Sequence, residues 1–184
     1  SMLSGLAAIT ERAKLGSLVT PPSFRNPAVY AKQLDAIEEI SGGRIIVGLG
    51  AGWHEPESAA FGLPYERRVS RFEEAFTIIR TLLHDGAIDF QGSYYTARDC
   101  ELSPRGPRPQ GPPLMIGSSG KRMLRISLPH VQMWNTWLCP EESDVSRIPA
   151  MREEVDAACI QAGVAPGDIE RTASILVTVN IMTT

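Results

Sequence analysis

Short apolar runs alternate along this chain with longer stretches whose apolar residues return every three or four positions. Ile45–Leu49 is the sharpest run, an almost unbroken apolar segment of the kind buried on both faces of a parallel sheet. Lys14–Val19, Leu114–Gly117, Val131–Asn135 and Ser174–Val179 read as four more strands. Thr20-Pro21-Pro22 ends the first of these, because proline cannot donate to a sheet ladder. Between the strands lie helical patterns. Leu3–Thr10 reads as the end of an amphipathic helix with Leu3, Leu6 and Ala7 on one side. Asn26 caps the next, with Pro27 at its first position, Tyr30, Leu34, Ile37 and Ile40 or Ser41 at helical spacing, and Gly42 as its stop. Val69–His84 carries Phe72, Ala75, Phe76, Ile79, Leu82 and Leu83 on one face. Ile148, Met151, Val155, Ala158 and Ala162 mark a further helix, stopped by Gly163.

The remainder reads as connections. Residues 54–68 are polar, with Pro56, Gly62 and Pro64, and form an ordered loop in this reading. Phe90–Tyr95 predicts a small hairpin turning at Gly92, and Ser103–Pro113, with five prolines, predicts an extended strap. Strand and helix alternate throughout, the order of a parallel α/β fold in one domain, residues 1–184.

Composition narrows the class without changing this picture. The 184 residues are 43% hydrophobic and 21% charged, enough for one core. A net charge of −3 gives no footprint for nucleic acid, and no apolar run is long enough to span a bilayer. Cys100, Cys139 and Cys159 are odd in number and far apart, which fits neither a disulfide framework nor a zinc site. A reducing, cytoplasmic setting is therefore the expectation. Ser1, ahead of Met2, is given no structural weight.

Candidate chemistry gathers at strand ends. Ser17–Thr20, Gly50–Trp53, Gly117–Gly120 and Trp134–Trp137 all follow predicted strands, and in a barrel such ends meet on one face. Gly50-Ala51-Gly52 permits a sharp turn and the close approach of another group, while Trp53 divides between core filling and a ligand wall. Gly117-Ser118-Ser119-Gly120 precedes a helix opening with Lys121-Arg122, a pattern that divides between a plain connection and an anion-binding loop. Glu55 and Glu57 read as exposed carboxylates or as acid–base groups beside Trp53. His54, His84 and His130 lack metal-ligand spacing and are expected on the surface. No metal site, Ser-His-Asp set or Walker loop is present.

Several segments resemble one family in order. These are Phe24-Arg25-Asn26-Pro27-Ala28, Ser41-Gly42-Gly43-Arg44, Gly48-Leu49-Gly50-Ala51-Gly52-Trp53, Phe61-Gly62 and Arg71-Phe72-Glu73-Glu74-Ala75. Phe90-Gln91-Gly92-Ser93-Tyr94-Tyr95, Pro112-Pro113-Leu114-Met115-Ile116-Gly117 and Trp134-Asn135 follow. The set resembles bacterial luciferase-like monooxygenases, most of all the branch that uses the deazaflavin coenzyme F420.

The resemblance implies a TIM (β/α)8-barrel family member in which about five of eight parallel strands are visible, since such barrels take about 250 residues. By the family's order the first two strands and the last lie outside the chain. The implied cofactor is F420, with FMN as the alternative, and the implied reaction is hydride transfer with a small organic substrate. Ser17, Leu18, Val19 and Thr20 would lie behind the cofactor ring, with a non-proline cis peptide between Ser17 and Leu18. Gly50, Ala51, Gly52 and Trp53 would border the ring, and Gly117, Ser118, Ser119 and Gly120 would hold the phosphate tail. No catalytic residue is assigned. Trp53 stands where the sugar-phosphate dehydrogenase branch carries a glutamate acid, Ser118-Ser119 replaces the usual glycine pair, and Gln132 replaces a common aspartate. Five strands cannot close a barrel, so a homodimer or higher oligomer is expected, with no nucleic-acid or membrane partner. The alternatives of the same reading are an FMN-dependent monooxygenase and a non-catalytic, self-associating barrel fragment.

Overall fold

A computed structural model describes residues 2–138 and 145–175. Helix α1, Met2–Ile9, leads into β1, Leu15–Gly16, followed by α2, Pro27–Ser41, and β2, Ile45–Leu49. A short α3, Glu55–Ala60, precedes the long α4, Arg68–Asp85. Next come β3, Ala87–Gln91, β4, Thr96–Glu101, β5, Leu114–Gly117, and α5, Lys121–Ser127. The described part closes with β6, Met133–Leu138, α6, Ile148–Gln161, and β7, Glu170–Ile175. The five-stranded sheet runs β1-β2-β5-β6-β7 with every neighbouring pair parallel, and it curls into half of a barrel.

The helices form for the reasons their sequences contain. Asn26 Oδ1 accepts from the N–H groups of Ala28 and Val29, and Gly42 ends α2 at φ 61°, where other residues are strained. Ser41 takes the inward position that Ile40 shared in the sequence pattern; Ile40 is half exposed. Ile78, Ile79 and Leu82 of α4 are fully buried, and Phe72 stacks on Phe76 at 5.5 Å between ring centroids. These side chains face Val47, Leu49, Leu114 and Ile116 from the convex side of the sheet. Each such burial stabilises the fold by about 1.5–3 kcal/mol.

Side chains on the concave face are fewer. Met115 lies near Gly48 and Thr172, with its sulfur 4.0 Å from Thr172 Oγ1. The hairpin β3–β4 stands outside the sheet, and Glu74 of α4 holds its turn by accepting from the N–H groups of Ser93, Tyr94 and Tyr95 at 2.7–3.0 Å.

Four expected boundaries move. The first strand is only Leu15–Gly16, not Lys14–Val19, because Ser17 Oγ turns to bond Gly48 O and ladder pairing resumes only as a bridge from Thr20 to Leu49. Residues 54–68 are not loop throughout: Glu55–Ala60 is helical, with Pro56 in its first turn. The strand expected over Val131–Asn135 begins at Met133; Gln132 just before it already donates its backbone N–H to Leu114 O at 3.0 Å, while its side-chain Oε1 accepts from Leu114 N at 2.9 Å. The last strand is described over Glu170–Ile175, upstream of Ser174–Val179; residues 176–179 lie outside the described part, as does Cys139.

The end of the sheet where strands begin is closed by charge-assisted bonds. Arg108, in the 103–113 strap, pairs with Glu38, whose side chain is 1% exposed, and donates to Ile45 O at 2.7 Å. Gly106 N donates to Asp35 Oδ1, and Lys32 Nζ to Ser103 O. Arg44 donates to Ser41 O and to Ala7 O, Thr10 O, Thr10 Oγ1 and Ala13 O, tying the end of α1 to the start of β2.

Candidate functional site

The opposite end of the sheet opens into a cleft of about 1210 Å3. Its walls come from the segment after β1, the turns after β2 and β5, the end of β6, and the segment around α3. Each lies beyond the carboxyl end of a parallel strand, where α/β sheets hold ligands.

Glycines explain how the chain reaches this arrangement. A Cβ on Gly48 would stand 1.9 Å from Ser17 O, so the chain after β1 crosses β2 only because that position is bare. A Cβ on Gly50 would meet Val19 Cγ2 at 2.7 Å, and one on Gly117 would meet Val19 Cγ1 at 2.9 Å. The group that approaches Gly50 closely is therefore Val19 itself. Gly52, at φ 80°, makes the turn that the sequence assigned to the whole glycine pair.

Leu18 is directed outward and 58% exposed, while Val19 is half-buried against these two glycines. The non-proline cis peptide joins Leu18 to Val19, one bond later than the expected position between Ser17 and Leu18. Ser17 is anchored on Gly48 O through its hydroxyl at 3.1 Å.

Of the residues named from the sequence, Leu18, Val19, Gly50–Trp53 and Gly117–Gly120 line the one cleft. Ser17 and Thr20 do not line it; they hold the edge of β2, where Thr20 O accepts from Gly50 N at 3.1 Å. Trp53 is not core filling. Its ring is 71% exposed and faces Trp137, itself 55% exposed, with centroids 6.3 Å apart and planes at 47°. His54 meets the Trp53 ring edge-on at 5.2 Å, and Tyr65 donates its hydroxyl to Trp53 O at 3.0 Å.

The Gly117–Gly120 turn is held by Trp134, which donates its indole N–H to Ser118 O at 2.7 Å. Arg122 does not serve this turn, because it pairs with Glu73 of α4 at 2.6 Å. Among the described residues two arginines border the cleft, Arg147 and Arg68, and the Arg68 guanidinium lies 4.8 Å from the centre of the Tyr65 ring. Asn135 forms part of the floor, its amide donating to Thr172 Oγ1 at 2.8 Å and accepting from Ser174 Oγ at 3.3 Å.

Asn135 and Trp137 also line the cleft and fall in the strand-end segment Trp134–Trp137 singled out in the sequence. Arg68 carried no such signal and joins the cleft through tertiary packing. His54, His84 and His130 are exposed, as are Glu55 and Glu57, although Glu57 also borders the cleft. Among the described residues no cluster of His, Cys, Asp or Glu could hold a metal ion, and no helix is long and apolar enough to cross a membrane.

Comparison with known proteins gives this geometry a family. The chain is 36% identical over 127 residues to 5,10-methylenetetrahydromethanopterin reductase of Archaeoglobus fulgidus, covering 69% of this chain and 37% of that protein. It is 31% identical over 172 residues to the F420-dependent glucose-6-phosphate dehydrogenase of Intrasporangium calvum, covering 85% and 52% respectively. The fold matches that of riboflavin lyase with modified FMN and riboflavin at a TM-score of 0.78 and 19% identity, covering 94% of this chain and 43% of that one. The chain thus spans about half, or less, of the length of these proteins. The model of the luciferase-like monooxygenases matches residues 1–181, and the chain belongs to that family.

Proposed function

We propose that this chain carries the cofactor face of a luciferase-like oxidoreductase that uses coenzyme F420 to exchange a hydride with a small organic substrate. One observation carries the reading: the segments after β1, β2 and β5, separate in sequence, converge on a single cleft at the strand ends. The residues present suit a planar cofactor with an anionic tail. Leu18 and Val19 offer an apolar shelf, with Val19 seated against Gly50 and Gly117, and Ser118-Ser119 brings hydroxyls and backbone N–H groups that suit a phosphate. F420, when bound, supplies the carbon that gives or takes the hydride. The chain's own residues orient the two reactants and exclude water from one side of the ring.

FMN is the second reading, favoured by the FMN named for the riboflavin lyase structure of the same fold. Titrating the purified chain with F420 and with FMN, followed by the absorbance and fluorescence of each ring, separates the two. Saturable binding of F420 with a weaker FMN response supports the proposal; the reverse order moves it to FMN, and no response to either removes it. Ser119→Asp should weaken the binding by charge repulsion at the turn. Unchanged affinity would reduce that turn to a connection.

The same proposal includes a homodimer or larger assembly, since β1 and β7 each have a neighbour on one side only within the described sheet. Light scattering tests this, and a stable monomer at low concentration would remove it. A self-associating fragment without turnover is the outcome if the assembly forms and neither cofactor binds.

A further inference from the structure

The two facing indoles have a consequence for substrate choice, and it rests on the cofactor reading above. Trp53 follows β2 and Trp137 lies in β6; β5 runs between them and ends in Gly117, which has no side chain. The rings therefore meet across a strand end whose side-chain space is taken by Val19. Both are mostly exposed, although a Trp pair ordinarily stabilises a fold by burying its area.

Their placement is not loose. Trp53 is held through its carbonyl by Tyr65, and Tyr65 is covered in turn by Arg68. Trp137 is two residues beyond Asn135 on the same strand, so both point to the same face of the sheet. The Asn135 amide has two donors and two acceptor sites, and Thr172 and Ser174 engage one of each. Among the described residues nothing else engages this amide, so one N–H and one lone pair are left at the base of the aromatic wall. Glu57 is the only carboxylate bordering the cleft among the described residues.

We propose that Trp53 and Trp137 form a substrate subsite for a neutral, planar aromatic or heteroaromatic molecule with one polar edge, which Asn135 reads. The ring stacks on the indoles and its heteroatom meets the amide. Tyr65 is a positioning residue in this arrangement and touches no substrate.

Labelling the chain with 5-fluorotryptophan gives three fluorine resonances, from Trp53, Trp134 and Trp137, assigned by single Trp→Phe variants. Trp134 is buried, and its resonance reports that each variant is folded. Quinoline is the probe and glucose the comparator, the latter of similar size without a flat apolar face. Quinoline should move the Trp53 and Trp137 resonances while leaving Trp134 in place, and glucose should move none. Trp53→Phe and Trp137→Phe should each raise the quinoline Kd by about tenfold or less, and Asn135→Leu should raise it without altering the two indole resonances of the free protein. Tyr65→Phe should shift the Trp53 resonance of the free protein.

Absence of a quinoline shift overturns the subsite, as does an equal response to glucose. The titration is repeated with F420 or FMN present. Simultaneous binding supports the proposal, whereas competition means that the indoles hold the cofactor's own ring and overturns the substrate assignment. Quinoline binding in a chain that takes neither cofactor would keep the aromatic subsite and remove only the cofactor reading.

Discussion

The two ends of the half-barrel solve opposite problems with different residues. Where the strands begin, Arg108, Glu38, Asp35, Lys32 and Arg44 tie the strap and α1 to the sheet with at least one charged partner per bond. Where the strands end, bare glycine backbone, exposed indoles and a short turn leave a cleft. Both ends rest on the same buried layer of α2 and α4 side chains. The difference is one of satisfaction: a charged group that is buried needs every partner, while a surface meant for a ligand keeps part of its capacity unused.

The sharpest break in this comparison is Gly48→Ala, because Gly48 connects the two ends. The new Cβ would overlap Ser17 O, a backbone atom with no rotamer to change. We expect a loss of about 3 kcal/mol or more in urea unfolding, together with detachment of β1 and the 17–20 segment. A loss under about 1 kcal/mol would mean that the crossing of β1 over β2 is not as described.

Removing Arg108 tests the closed end alone. Arg108→Ala leaves the Glu38 carboxylate buried with its counter-ion gone, which costs about 3–5 kcal/mol. Arg68→Ala at the open end, where the guanidinium lies over an aromatic ring near solvent, should change stability by about 0.5 kcal/mol or less. The pair of measurements, each a denaturation midpoint, sharpens the contrast. Equal losses would erase it.

Gly50→Ala asks whether the strand-end glycines serve packing. Its Cβ would press on Val19 Cγ2, and the expected cost is about 1–3 kcal/mol. Val19→Ala in the same chain should recover most of that loss, giving a clear coupling in a double-mutant cycle. Additive effects would return Gly50 to a role in ligand approach alone.

These glycines also show how far the sequence could be read. The order of strands and helices was legible because buried parallel strands are continuously apolar and α2 carries its own cap, Asn26, and stop, Gly42. The location of the cleft was legible as well, since Gly50–Trp53 and Gly117–Gly120 mark strand ends without any knowledge of their neighbours. Their tertiary partners were not. Nothing local to Gly50 says that Val19 fills the space beside it, and nothing local to Arg122 says that Glu73, 49 residues earlier, claims its charge. Arg108 looked like part of a proline-rich strap, yet it meets Glu38 from 70 residues away. Periodicity records which face is buried, not which group lies opposite.

The smallest expected effect lies on the outer layer, at His130, and it separates the closed end from general acid sensitivity. Partial desolvation of this largely exposed ring is the larger cause that lowers its pKa from 6.5, and the charge of Arg80 adds to it; the Phe76 ring lies 6.2 Å away. The folded protein therefore binds this proton less readily than the unfolded chain. Well above pH 6.5 both states are neutral at His130 and the group contributes no pH dependence. As pH falls below that value the unfolded state takes up the proton first, so stability declines until the folded state is protonated too. Comparing the chain with His130→Gln in urea unfolding between pH 7.5 and about 5 isolates the histidine. The two curves should run parallel above the usual histidine range and converge or cross below it, with the variant losing less stability. Curves that stay parallel across the whole range would show that His130 titrates alike in both states, and that the packing of α4 against the residues before β6 does not restrict it.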